Sequence, residues 1–327
     1  MSAATPPRRA VLGAALALLL VVGVVCALGL TEIVLRVRHF HYQPFPEVQF
    51  GWPEPQAIVN EFQPDPDLLW VTKDYAERLR LAAASHPAVI FIGDSCVEFS
   101  HYPGLVMEAL ARTAPSLATG TKLSVPGWSS EQGRAQLSRD VLALKPRVLI
   151  VEYGWNDHWD AMGPPDSDTH PSRVELWAAQ HFRVVQAWLK ARDGVRAHRD
   201  PEPGRRVPLA RYRENLVEMV RASAAAGIKV VLVTAPTTHA VGQEPAYLSA
   251  RHLKHLSDLV PLHREYVEAT RGAATTAGAY LCDAAKAAED AGPARQAWFR
   301  HDGIHFTPDG DRFMADVVSR CIVDASH

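Results

Sequence analysis

Ser95 closes the stretch Ala88-Val89-Ile90-Phe91-Ile92-Gly93-Asp94-Ser95-Cys96. The apolar, β-branched run reads as a buried strand. Gly93 permits a sharp turn that lifts Ser95 off the strand's carboxyl end, the edge where open α/β sheets bind ligands. A serine there is a nucleophile only if a base and an oxyanion site can reach it. Asp302-Gly303-Ile304-His305 offers the base: His305 can take a proton, and one turn can bring the Asp302 carboxylate to its other nitrogen to fix the tautomer. Gly127, in Val125-Pro126-Gly127-Trp128-Ser129-Ser130, lets a backbone N–H approach a ligand ahead of a helix. Asn156, in Gly154-Trp155-Asn156-Asp157, carries an amide that can donate to an oxyanion. Taken singly these are a capping serine, a tight turn, an Asx-turn and a surface turn. Taken together they are what covalent acyl chemistry at a serine requires.

The elements between them have the order such a site needs. Strand-like runs at 88–92, 121–125, 147–153, 228–234 and 279–282 alternate with helical patterns at 129–144, 171–192, 209–226, 249–277 (broken at Pro261) and 308–323. Ser129 or Ser130 caps the first of these helices, and Thr307 with Pro308 opens the last. A polar, Gly- and Pro-bearing loop runs over 194–208. Strands alternating with helices imply a parallel sheet covered on both faces, with each chemistry-bearing stretch at a strand's carboxyl end.

Arg8 and Arg9 precede an uncharged run over 10–30, the length a helix needs to cross a bilayer. A cleaved signal usually has a shorter apolar region, so an uncleaved single-pass anchor is expected. Arg36 and Arg38 balance Arg8 and Arg9, and flanking charge therefore does not orient it. Residues 43–67 are Pro-rich and aromatic and read as an extended stalk whose aromatics can pack back on the domain. The expected division is a tail at 1–9, an anchor at 10–30, a stalk and accessory segment at 31–85 and one α/β domain at 86–327. A net charge of −2 with no basic stripe argues against nucleic acid as a partner. The four cysteines (26, 96, 282 and 321) form no Cys-x-x-Cys pair, no His-Glu-x-x-His occurs, and His252 with His255 reads as a solvated helix face, so no metal site is indicated.

The four stretches, in this order, resemble the SGNH (GDSL-like) hydrolase family over about 88–323. Gly93-Asp94-Ser95 matches its first block, Gly127 its second, Gly154-x-Asn156-Asp157 its third and Asp302-x-x-His305 its last. The resemblance implies a three-layer α/β/α sandwich with a five-stranded parallel sheet in the order 2-1-3-4-5. It makes Ser95 the nucleophile, His305 the base and Asp302 its orienting acid. The oxyanion hole would be the N–H groups of Ser95 and Gly127 and the Asn156 side chain, and no cofactor is required. Cys96 stands where the family pattern has Leu, and Lys122 where the second block often has Asn. Asp94 and Asp157 read as loop-bracing residues.

The function so implied is ester hydrolysis on a small-molecule or glycan substrate, O-acetyl groups of cell-envelope glycans among them, with the domain on the outer side of the membrane. Transfer of the acyl group to a sugar hydroxyl by the same triad, and a non-catalytic module of the same fold, are the alternatives. Trp128 and Trp155 adjoin the two oxyanion donors, with His158, Trp159, His101 and Tyr102 nearby, and are read as a substrate-binding aromatic platform. Cys282 and Cys321 are expected to remain free thiols: Cys321 lies fourteen residues along a helix that starts beside the edge where Cys282 sits, roughly 20 Å away.

Overall fold

The computed structural model describes residues 8–42, 60–161, 164–169, 171–197, 204–250 and 252–326. The uncharged run forms helix α1 (Arg8–Val37), and its segment Ala15–Val37, with a mean hydropathy of 2.6 and 0% buried, is long and apolar enough to cross a membrane. Most of the expected stalk, 43–59, lies outside the described residues. Its last part is extended but lies against the domain. Strands β1 (Phe62–Asp65) and β2 (Leu69–Thr72) pair antiparallel, followed by helix α2 (Tyr75–Ser85). Phe62, Leu68 and Trp70 are fully buried, so this segment docks on the domain rather than holding it at a distance.

The main sheet is parallel. It comprises β3 (Val89–Gly93), β4 (Gly120–Lys122), β5 (Val148–Glu152), β6 (Lys229–Val233) and β7 (Tyr280–Cys282), in the order β4-β3-β5-β6-β7. This is the expected 2-1-3-4-5 order. Every residue of β3 and β5 is buried, as strands covered on both faces must be. Helices connect them: α3 (Ser95–Glu98) and α4 (Tyr102–Thr113) after β3, α5 (Ser130–Gln136) after β4, then α6 (Arg173–His181), α7 (Arg183–Ala197) and α8 (Leu209–Ala225) after β5. Helix α9 (Leu259–Ala277) follows β6, while α10 (Ala284–Asp290) and α11 (Pro308–Ser326) close the chain. The single helix expected over 171–192 is two, broken at Phe182, whose extended backbone ends α6.

Side chains alternate across the sheet with a period of two and build a separate core on each face. Ile90, Ile92, Leu149, Val151, Val230 and Leu232 pack with Leu216 and Met219 of α8, Tyr266 of α9 and Trp70 of the hairpin. Val89, Phe91, Val148, Ile150, Val231 and Val233 face Val106 and Leu110 of α4 and Met314, Val318 and Ile322 of α11. Each such side chain contributes about 1.5–3 kcal/mol of burial, which fixes the strands and hence the loops at their carboxyl ends. The strand order reverses between β3 and β5, so the loops after them part and leave a crevice.

Cys282 and Cys321 form a disulfide, with Cα atoms 5.6 Å apart, and are not the separate thiols expected. The helix does not start beside β7. Asp311, in its first turn, accepts the backbone N–H groups of His101 (3.0 Å) and Tyr102 (3.2 Å), so α11 starts over the loop that follows β3. It then crosses to β6 and β7, where Cys282 Sγ lies 3.8 Å from Val317 O. At about 4.8 Å per strand, β7 is roughly 14 Å from β3. The length of the helix therefore carries Cys321 to Cys282 rather than away from it.

Candidate active site

The turn after β3 is built around two small residues. A Cβ on Gly93 would lie 2.5 Å from Val97 Cγ2 and 2.7 Å from Glu152 O, so only glycine lets α3 fold back this tightly on β5. Asp94 caps α3, its Oδ1 accepting the Cys96 N–H at 2.8 Å. This turn presents Ser95 at the start of α3.

Ser95 Oγ lies 2.9 Å from His305 Nε2, and His305 Nδ1 lies 2.8 Å from Asp302 Oδ2. Asp302 Oδ1 accepts the backbone N–H groups of Ile304 and His305, each at 2.9 Å. Burial alone would raise the Asp302 carboxyl. The imidazole and the two N–H donors outweigh it and bring the pKa to about 2, so the group stays ionised at any physiological pH. An ionised Asp302 fixes the proton on His305 Nδ1 and turns the Nε2 lone pair towards Ser95. The arrangement can remove the hydroxyl proton as the oxygen attacks an electrophile.

The loop that carries Asp302 and His305 is held by residues that no motif marks. His239 Nε2 donates to the Asp302 carbonyl at 2.7 Å, while Thr237 Oγ1 (3.0 Å) and Thr238 N (3.3 Å) donate to the Gly303 carbonyl. Gly303 has φ +71°, and a Cβ there would meet His239 Nε2 at 2.5 Å. The one available signal was position: 237–239 follow β6 at the same sheet edge as the other blocks.

The three expected oxyanion donors differ in state. The N–H groups of Ser95 and Gly127 have no partner among the described residues, and Gly127 takes φ +80°. Both N–H bonds of the Asn156 amide are engaged, to Asp94 Oδ2 at 2.9 Å and Trp128 O at 3.1 Å. Stabilising an oxyanion through Asn156 requires one of these to be released or shared. Asp157 accepts Ser130 N (2.9 Å) and Gly154 N (3.1 Å), and burial pushes its carboxyl up to about 7. It joins the second and third blocks.

The tryptophans form no exposed platform. Trp128 is 0% exposed, with Nε1 donating to Trp70 O at 2.8 Å, while Trp70 Nε1 donates to Pro126 O at 3.1 Å. Trp155 is 3% exposed and stacks on His263 with ring centroids 3.9 Å apart, in a cluster with Cys96, Trp159 and Ile304. Burying an indole is the largest apolar gain open to such a loop, and both rings brace the backbone they follow. His158, Trp159 and Tyr102 are buried as well. Tyr102 Oη donates to Glu152 Oε2 at 2.7 Å, and the other carboxyl oxygen of Glu152 is buried without a partner among the described residues.

The two departures from the family pattern also have local roles. The Cys96 side chain is buried under the turn. Lys122 Nζ donates to the carbonyls of Glu98 and Ser100, satisfying the end of α3. Arg78 of α2 pairs with Glu98 Oε2 at 2.9 Å, and Ser124 Oγ donates to the same oxygen at 2.6 Å, which ties the accessory segment to the helix that Ser95 opens.

The chain is similar in fold to a lipase/acylhydrolase from Enterococcus faecalis, at 17% identity over 72% of this chain and 95% of that one, with a TM-score of 0.48. It is likewise similar to a GDSL-like lipase from Parabacteroides merdae (17% identity, 72% and 95% covered, TM-score 0.49). An acetylxylan esterase from Geobacillus stearothermophilus is a third (17%, 72% and 93%, TM-score 0.47). No curated protein matches the sequence. The model of the GDSL-like Lipase/Acylhydrolase family matches residues 91–313, which hold all four blocks and span about two thirds of the chain; the protein belongs to that family.

Proposed function

We propose that this ester-hydrolysing enzyme works through an acyl-enzyme on Ser95. The observation that carries the reading is the hydrogen-bonded chain Ser95–His305–Asp302, at 2.9 and 2.8 Å. His305 Nε2 takes the hydroxyl proton while Ser95 Oγ attacks the ester carbonyl. The tetrahedral oxyanion is held by the N–H groups of Ser95 and Gly127, joined by Asn156 as its amide turns from Asp94 or Trp128. His305 then returns the proton to the departing alkoxide. Water, deprotonated by the same nitrogen, releases the acid and restores Ser95. Every group in this scheme comes from the chain itself.

The substrate is a carboxylic ester of a small molecule or glycan, and the enzyme is held to a membrane by α1 with its catalytic domain outside the cytoplasm. A disulfide between Cys282 and Cys321 supports that side, since such bonds persist in oxidising compartments. Labelling with a fluorophosphonate should modify Ser95, and Ser95→Ala should abolish both labelling and turnover of a short-chain ester in a folded protein. Near-normal turnover by Ser95→Ala would overturn the assignment. A reporter fused after His327 should be active only when exported.

A further inference from the structure

Helices α6 and α7 pack against the last turns of α1 through their elbow. Arg36 Nη2 donates to His181 O at 2.7 Å, and Glu32 Oε2 accepts the Val184 N–H at 2.8 Å. Glu32 and Arg36 are themselves paired at 2.7 Å. They follow directly on an apolar run that by length fills the hydrocarbon core of a bilayer. Where the uncharged run 10–30 fills the hydrocarbon core, the charged end of the Ala15–Val37 segment, with Glu32 and Arg36, stands in the headgroup layer, and the elbow stands at the same height.

Around that elbow the surface is unusually apolar and aromatic. Trp177 is 54% exposed, Phe182 42% and Trp188 57%. Trp177 stacks on the ring of His181, whose carbonyl Arg36 holds. Trp188 lies four residues, about 6 Å, beyond Val184. Beneath them Leu176, Ala179 and Leu189 are buried, so both helices are amphipathic with a second, unburied apolar face. The charges of the pair lean basic: Arg173, Arg183, Lys190, Arg192 and Arg196 against Glu175 and Asp193, both of which pair with Arg192 at 3.0 Å. Exposed tryptophans flanked by Arg and Lys at the foot of a spanning helix are the composition of a membrane-interface anchor.

We propose that the α6–α7 elbow is a second membrane contact: Trp177, Phe182 and Trp188 insert at the acyl–headgroup boundary of the bilayer that α1 spans, and the basic residues beside them face anionic phospholipid. The contact rests on the anchoring reading of α1 and goes beyond it. It holds the domain against the bilayer face instead of letting it hang from a tether, and so fixes the height of the catalytic crevice above the lipid.

The test uses the full chain in vesicles of phosphatidylcholine and phosphatidylglycerol (3:1) whose acyl chains carry bromine near the glycerol end. Wild type and the double variant Trp177→Ser/Trp188→Ser are compared by tryptophan emission against unbrominated vesicles. Turnover of a soluble short-chain ester checks that the variant is folded. The difference spectrum, which reports these two indoles alone, should be quenched at least about threefold in brominated vesicles and be weaker without phosphatidylglycerol. Equal emission in both vesicles, with α1 intact by mass and the protein resistant to alkaline carbonate extraction, overturns the elbow contact and leaves the anchor standing. Release by carbonate overturns the anchor and the contact with it. Emission shielded from bromine that varies with protein-to-lipid ratio would assign the face to a second copy of the chain, and also overturns the proposal.

Discussion

Replacing Glu152 by Gln should remove one cause of the loss of stability that the native protein shows as pH rises. Glu152 ends β5 opposite Gly93 and is buried, with one carboxyl oxygen accepting from Tyr102 and the other unpartnered among the described residues. Desolvation, with the charge of Asp94 adding to it, pushes its pKa up to about 8, although the Tyr102 hydroxyl opposes the shift. The folded state therefore holds a proton that the unfolded chain, with an ordinary pKa near 4.5, has released. Because the native state binds more protons across this window, stability must fall as pH rises from about 4.5 to 8. Integrated from pH 5 to 8.5, the loss is on the order of 4 kcal/mol, a large share of a typical domain's stability. Glutamine keeps the acceptor for Tyr102 and cannot ionise. Urea unfolding of the detergent-solubilised chain, followed by near-UV circular dichroism at both pH values, isolates the term as the difference between Glu152→Gln and wild type. That difference should move in favour of glutamine by several kcal/mol between pH 5 and 8.5. A difference constant to within about 1 kcal/mol would mean that Glu152 is ionised throughout and would refute the reasoning.

Three other perturbations should be equally readable. Arg206 and Asp166 form an ion pair at 2.8 Å with both side chains 0% exposed; Arg206→Met should cost about 3–5 kcal/mol, read as a lowered urea midpoint, and adding Asp166→Asn should recover part of it. Gly303→Ala must place a methyl against His239 in a backbone at φ +71°, so kcat should fall roughly 10²-fold with the fold retained, and His239→Ala in the same chain should restore some of it. Cys321→Ser opens a loop of sequence separation 39 and should destabilise by about 4 kcal/mol in thermal or urea unfolding, with no change in KM.

The site was legible in the sequence because each chemical block sits at a strand end, and strands of β-branched residues declare themselves. What stayed hidden depends on partners far along the chain. Trp128 looked ligand-facing because Trp70, 58 residues earlier, gave no sign that its carbonyl would take the indole N–H. His239 donates to the main-chain carbonyl of Asp302, an acceptor any residue would supply, so no motif records the pair. The disulfide was missed for a different reason. Helix length follows from sequence, but the point above the sheet where a helix begins is set by contacts such as Asp311 with His101 and Tyr102. The break at Phe182 likewise lay inside a pattern that read as one continuous amphipathic run.

The distance along the chain between Ser95 and His305 has a consequence for biogenesis. A chain made amino end first presents the Ser95 hydroxyl 210 residues before His305, its base in the proposed mechanism. The turn that carries His305 is held by the loop after β6, which grips Asp302 and Gly303, and the helix that follows it is held by Asp311 against the start of α4. Without His305 in place the serine is an ordinary alcohol. On the proposed mechanism a chain stalled before its last elements would be silent towards esters, and competence would come late, with α11 locked to β7 through Cys321 and Cys282.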